Sequence, residues 1–144
     1  MSKLSLFLKQ NKTVRENIMY PVTKSLCDEN GEPLMWELKP LSTAQNEALQ
    51  EACMTEVPVK GKPNMYRPKL DTQTYLKKTI CTCVVHPDLH NVELQNSYGV
   101  MTPEDLLMAM VDNPAEYQEF AKVVQKMNGF DVSLEEKVDE AKNS

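Results

Sequence analysis

The sequence predicts a mainly α protein with a small β-hairpin, an α+β chain whose N-terminal hairpin packs on five or six helices, and three observations carry that expectation. Amphipathic segments preceded by capping residues recur from Ser42 onward. Alternating apolar residues flank Asn30-Gly31, the strongest hairpin signal in the chain. Between Val84 and Tyr117, Pro87, Gly99, Pro103 and Pro114 punctuate a relay of helices, because proline suits a first helical turn and glycine a left-handed stop. A length of 144 residues suits one domain over 1–144, with an arm at 1–12, the hairpin at 16–40 and a helical region at 42–143.

In the arm, Leu4, Phe7 and Leu8 fall at helical spacing. Docking on the protein's own core is the expected arrangement, and engagement of a partner is the alternative. Ile18, Tyr20 and Val22 alternate, as do Leu34, Trp36 and Leu38, so each strand has one apolar face. Two strands are marginal alone, which requires Trp36 to be buried against helices. A two-residue turn would set Glu29 opposite Glu32, so a longer loop is expected. Pro21 marks its strand as an edge or a bulge.

Ser42 and Gln45 form a capping box ahead of a stripe of Ala44, Ala48, Leu49, Ala52 and Cys53. The stretch 57–69 holds three prolines, a glycine, and Lys60, Lys62, Arg67 and Lys69 without an acid. It is expected to be a solvated basic loop, with contact to an acidic partner or neighbouring subunit as its functional reading. Asp71 caps a helix from Thr72 to about His86. Tyr75, Leu76, Thr79, Ile80, Cys83 and Val84 line one side of it, with Cys81 and Val85 opposite, so this helix is expected at the centre.

Further on, residues 91–98 read as one or two helical turns stopped by Gly99. Thr102 caps a helix with Pro103 first, and Met101 and Leu106 are spaced for a hydrophobic staple. Leu106, Leu107, Met110 and Val111 face inward, whereas Met108 projects off the stripe. Asn113-Pro114 opens a helix lined by Tyr117, Phe120, Ala121 and Val124, and Asn128-Gly129-Phe130 stops it. A last helix follows from the box Ser133/Glu136, with Leu134, Val138 and Ala141 on one side.

A formal charge of −5 argues against general nucleic-acid binding, which needs a basic face. The apolar run Leu4 to Leu8 is too short for a signal core or a membrane span, so a cytoplasmic protein with reduced thiols is expected. Cys81, Cys83, His86 and His90 have the chemistry of zinc ligands. On a helix, however, Cys81 and Cys83 point about 200° apart and cannot share an ion. No dinucleotide fingerprint, phosphate loop or nucleophile elbow occurs, and the expectation is no enzyme, no cofactor and no metal. Methionine suits surfaces that accept varied apolar helices, which singles out Met108 among nine.

Taken in order, several pieces of the chain resemble the XkdN-like family of phage tail assembly chaperones. They are Phe7-Leu8, Asp28-Glu29-Asn30-Gly31, Trp36-Glu37-Leu38, Leu70-Asp71-Thr72 with Tyr75-Leu76, and Val85-His86-Pro87-Asp88-Leu89. Glu93 to Val100, Leu106-Leu107, Glu116-Tyr117, Asn128-Gly129-Phe130 and Glu140 to Asn143 complete the series. The resemblance implies a non-catalytic chaperone in the host bacterial cytoplasm, absent from the mature virion. It is implied to coat the tail tape measure protein until tube subunits displace it, with the major tube protein as a second partner and no nucleic acid or membrane. Cys81, Cys83 and His86 depart from the family pattern, which argues further against a metal. The candidate contacts are Met108, the arm residues Leu4, Phe7 and Leu8, and the basic Lys60, Lys62 and Arg67. A structural tail-completion protein and a small metal-binding regulator are the alternatives.

Overall fold

In the computed structural model, which describes residues 3–130, the predicted hairpin carries Trp36, the largest fully buried side chain. Strand β1 (Ile18–Pro21) pairs antiparallel with β2 (Met35–Leu38), setting Ile18 against Leu38 and Tyr20 against Trp36. The connection ends in a three-residue loop. Asp28 donates its N–H to the Glu32 carbonyl at 2.8 Å, and its carboxylate accepts from Asn30 and Glu32 at 2.8 and 3.0 Å. Gly31, at φ +81°, supplies the left-handed residue that such a loop needs. Asp28, not Glu29, therefore lies opposite Glu32.

The sheet has a third strand that the sequence reading had placed inside a helix. Helix α2 (Thr72–Cys83) stops short of His86, and strand β5 (Val84–His86) joins β2 antiparallel, giving the order β1-β2-β5. Three local causes agree. Val84 and Val85 are β-branched, the residue before Pro87 is pushed toward extended backbone, and β2 offers an unpaired edge. Strand alternation then turns Val85 outward and keeps Val84 buried.

Helix α1 (Thr43–Ala52) forms behind the predicted box: the Gln45 N–H donates to Ser42 Oγ at 3.1 Å, and the Ser42 N–H donates to Gln45 Oε1 at 2.9 Å. Its predicted stripe is not a core face. Ala44, Ala48 and Ala52 are exposed, Leu49 is half-buried, and of the five only Cys53, at the cap, is buried. Alanines have little surface to bury, so α1 rests on α2 mainly through Leu49.

The expected basic loop is instead a second hairpin. Strands β3 (Met54–Pro58) and β4 (Tyr66–Leu70) pair antiparallel from Met54/Leu70 to Pro58/Tyr66. Pro58 and Pro68 are tolerated because each strand of a two-stranded ribbon is an edge, where an amide position that faces away from the partner carries no ladder bond. Gly61 (φ +77°) and Asn64 (φ +65°) turn the connecting loop.

Helix α2 lies at the centre, packed on α1 and on the helices α4 (Pro103–Met110) and α5 (Pro114–Met127). Between α2 and α4 runs the short α3 (Val92–Ser97). Asp71, Thr102 and Asn113 cap α2, α4 and α5 through their side chains, as the sequence predicts, and Asn91, which the sequence places inside the turn, caps α3. Helices α3 and α5 end alike. The Gly99 and Val100 amides donate to the Asn96 and Gln95 carbonyls, and the Gly129 and Phe130 amides to those of Lys126 and Gln125. The Met101–Leu106 staple does not form: Met101 is 89% exposed and Leu106 is fully buried. Val100, turned in by Gly99, packs on the core in its place.

Phe120 joins the layers. Its ring lies edge-on to Trp36 at 5.6 Å and stacks on Tyr20 at 6.0 Å, within a cluster that includes Leu38, Ile80, Leu106, Leu107 and Val124. The predicted last helix, with Ser133, Glu136, Leu134, Val138 and Ala141, lies outside the described residues.

Candidate partner-binding surface

The two central thiols sit in separate environments. Cys83, at the end of α2, receives a hydrogen bond from Asn128 Nδ2 at 3.5 Å, and burial raises its pKa. Cys81 is pushed up to about 12, first by burial and then by the nearby Glu104 carboxylate, with Lys78 opposing. His86 is exposed on β5. Among the described residues no group of three or more His, Cys, Asp or Glu side chains is placed to hold a metal ion.

The arm does not dock on its own core. Two short 3-10 turns, Leu4–Phe7 and Lys9–Asn11, bury none of their residues. Leu4, Leu6, Phe7 and Leu8 are 74, 61, 85 and 42% exposed. In place of a docked amphipathic helix, the arm forms two tighter turns that leave its apolar side chains in solvent. Removing one such side chain from water contributes roughly 1.5–3 kcal/mol, so the arm carries a substantial unused driving force for association. Met108, on α4, is 38% exposed between the buried Leu107 and Met110. Lys60, Lys62, Arg67 and Lys69 are all exposed on or beside the second hairpin, with Met65 and Tyr66 exposed between them. Among the described residues, none of the ion pairs uses these four cations.

A groove of about 490 Å³ opens where α1, α2 and the end of α5 meet, and it is lined by none of those candidate residues. Leu70, Tyr75, Leu76 and Phe130 form its apolar lining, and Gln50, Gln73 and Gln125 stand around it. Among the described residues no charged side chain lines it. Tyr75 is held in place by its hydroxyl, which donates to Asn46 Oδ1 on α1. Thr79 also faces the groove. It is 4% exposed, and its Oγ1 has no hydrogen-bond partner among the described residues. The sequence assigns Tyr75, Leu76 and Thr79 to the apolar side of α2 but cannot tell a covered side from an open one.

Comparison with known proteins places this geometry in a family. The profile of the XkdN-like phage tail assembly chaperone proteins matches residues 4–142. The chain belongs to that family. It is 26% identical over 140 residues to the phage-like element PBSX protein XkdN of Bacillus subtilis, covering 97% of this chain and 93% of that protein. The uncharacterized protein YqbN of the same organism is 25% identical over the same length and the same shares. The fold is shared with the crystal structure of the protein YqbN, at a TM-score of 0.75 and 21% identity, covering 91% of this chain and 99% of that one.

Membership in the XkdN-like family assigns the chain a role in phage tail assembly. Among the described residues, the arm, the basic hairpin and Met108 expose apolar or basic side chains. No helix among the described residues is long and apolar enough to cross a membrane.

Proposed function

We propose that this chain is a non-catalytic tail assembly chaperone that binds and solubilises the tail tape measure protein until the tail tube polymerises around it. The observation that carries the reading is the match to the XkdN-like chaperone family along nearly the whole chain. The surface chemistry supports it. A long helical client presents apolar faces that aggregate unless covered, and a small acidic domain with an uncharged apolar groove is suited to cover them reversibly. The arm residues Leu4, Phe7 and Leu8 and the flexible Met108 add apolar contact, and Lys60, Lys62 and Arg67 meet acidic positions of the client. Displacement by the major tube protein would return the chaperone to the host cytoplasm and leave it out of the finished particle.

The test is co-expression with the tape measure protein encoded beside it. The client should move from the insoluble to the soluble fraction and co-purify with the chaperone, and purified particles should lack this chain. Stoichiometric recovery of the chain in purified particles, without any effect on tape measure solubility, would instead make it a structural tail protein.

A further inference from the structure

We propose that the α1–α2–α5 groove is the seat of the chain's own residues 131–144, which lie outside the described residues. The place where that segment begins is fixed. Helix α5 ends at Met127, Gly129 turns the backbone at φ +83°, and the Phe130 N–H donates to the Gln125 carbonyl at 2.8 Å. Phe130 and Gln125 both line the groove, so residue 131 starts on its wall. A segment tethered there meets the groove at an effective concentration on the order of millimolar, which a free partner in dilute solution does not match.

The sequence of the segment matches the groove. Leu134, Val138 and Ala141 recur at the spacing of one helix side, behind the capping pair Ser133 and Glu136. The wall they would meet is formed by Leu70, Tyr75, Leu76 and Phe130, with no charged side chain among its described residues. All the charged residues of the segment fall at other positions, so covering this stripe leaves them to water. Charge adds an independent argument. The segment carries five carboxylates and two lysines, and Phe130 also lines a second cleft together with Lys12 and Arg15. Neither cation is in an ion pair among the described residues. A segment that starts at Phe130 therefore has an apolar wall for its stripe and two cations for its carboxylates.

The seat is tested on the full chain without a client. In a Cys27→Ser background, which removes the exposed thiol, Leu76→Cys puts a thiol on the groove wall. Adding Leu134→Asp with Val138→Asp should speed its alkylation by roughly tenfold or more, the effect of uncovering an apolar contact. Cys81, buried in the fold, should stay unlabelled in both chains. A second measurement leaves the groove unaltered. A spin label on Asn143→Cys should broaden the methyl signals of Leu70 and Leu76, and the two aspartates should abolish that broadening. Equal alkylation rates with either form of the segment overturn the proposal, as does a spin label that leaves Leu70 and Leu76 sharp. Broadening seen only between a spin-labelled chain and a separate isotope-labelled chain assigns the groove to a second copy and overturns it as well. Competition between this segment and a client rests on the chaperone reading, and solubility of the tape measure protein is scored separately. A wild-type chain that fails to keep the tape measure in solution sinks that reading and leaves the seat standing. A soluble client with an unprotected Leu76→Cys sinks the seat alone.

Discussion

Asn128 accepts the backbone N–H of Leu41 at 2.7 Å across 87 residues of sequence. Its Nδ2 donates to the Val124 carbonyl at 2.9 Å and to Cys83 Sγ at 3.5 Å. One side chain thus ties the end of α5 to the segment entering α1 and to the last turn of α2. Leu41 is only 5% exposed, so its amide has no ready access to water. Asn128→Ala should destabilise the fold by about 1–3 kcal/mol, because it orphans a buried donor rather than removing a surface contact. Denaturant unfolding with an unchanged m-value would measure this. Asn128→Asp should cost less, since it keeps the acceptor and loses only the donors.

That relationship marks where sequence legibility ends. Ser42, Asp71, Thr102 and Asn113 were readable as caps because a cap is a bond to an amide two or three residues away. The Gly99 and Gly129 stops were readable for the same reason, being set by neighbours. Strand β5 was not, because its pairing partner β2 lies some fifty residues earlier, and Cys81 to Val85 has no period that separates helix from strand. The groove was equally hidden. Tyr75 and Leu76 look the same in sequence whether α1 covers them with leucines or stands off with alanines. Exposure of Met108 was legible from its angle on α4, whereas exposure of the arm was not.

The hairpin is latched to α5 by Glu116, whose carboxylate accepts the Thr23 hydroxyl at 2.7 Å and the Lys24 N–H at 2.8 Å. The Lys24 amide, then the Thr23 hydroxyl, hold this carboxyl below its ordinary pKa. In the folded state Glu116 therefore resists protonation more than in the unfolded chain. Its contribution is complete above the ordinary glutamate value of about 4.3 and is lost as pH falls through the lower folded value. Wild type should exceed Glu116→Gln in stability at neutral pH, and the gap should narrow as acid is added below that value. Thermal unfolding of both proteins across this interval measures the difference; a gap that is constant with pH contradicts it.

Thiol reactivity should separate one cysteine from three. Cys27 is exposed, whereas Cys53, Cys81 and Cys83 are buried. Burial raises the pKa of all three, most clearly that of Cys81 at about 12, so almost no thiolate is present near pH 8. Brief alkylation of the native protein should add a single label, mapped to Cys27, and four labels after denaturation. Rapid labelling of Cys81 in the native state would show that α2 opens far more readily than its central packing implies.

Met108 offers the sharpest separation of binding from folding. It stands on α4 between Leu107 and Met110, both buried, yet is itself 38% exposed. Charge at an exposed position is tolerated by the fold, whereas an apolar contact with a client is not tolerant of it. Met108→Asp should therefore lower the amount of tape measure protein retained in solution and weaken the purified complex at least tenfold. Its stability should change by no more than about 0.5 kcal/mol, the usual range for surface substitutions. Leu106→Ala, two residues earlier and fully buried, provides the contrast. It should cost about 2–5 kcal/mol and reduce client binding only through loss of folded protein. Thermal melts and co-purification measured on the same two variants decide between these outcomes. A steep loss of stability in Met108→Asp would assign the side chain to the core, and full retention of the client by a stable Met108→Asp would move the client contact elsewhere.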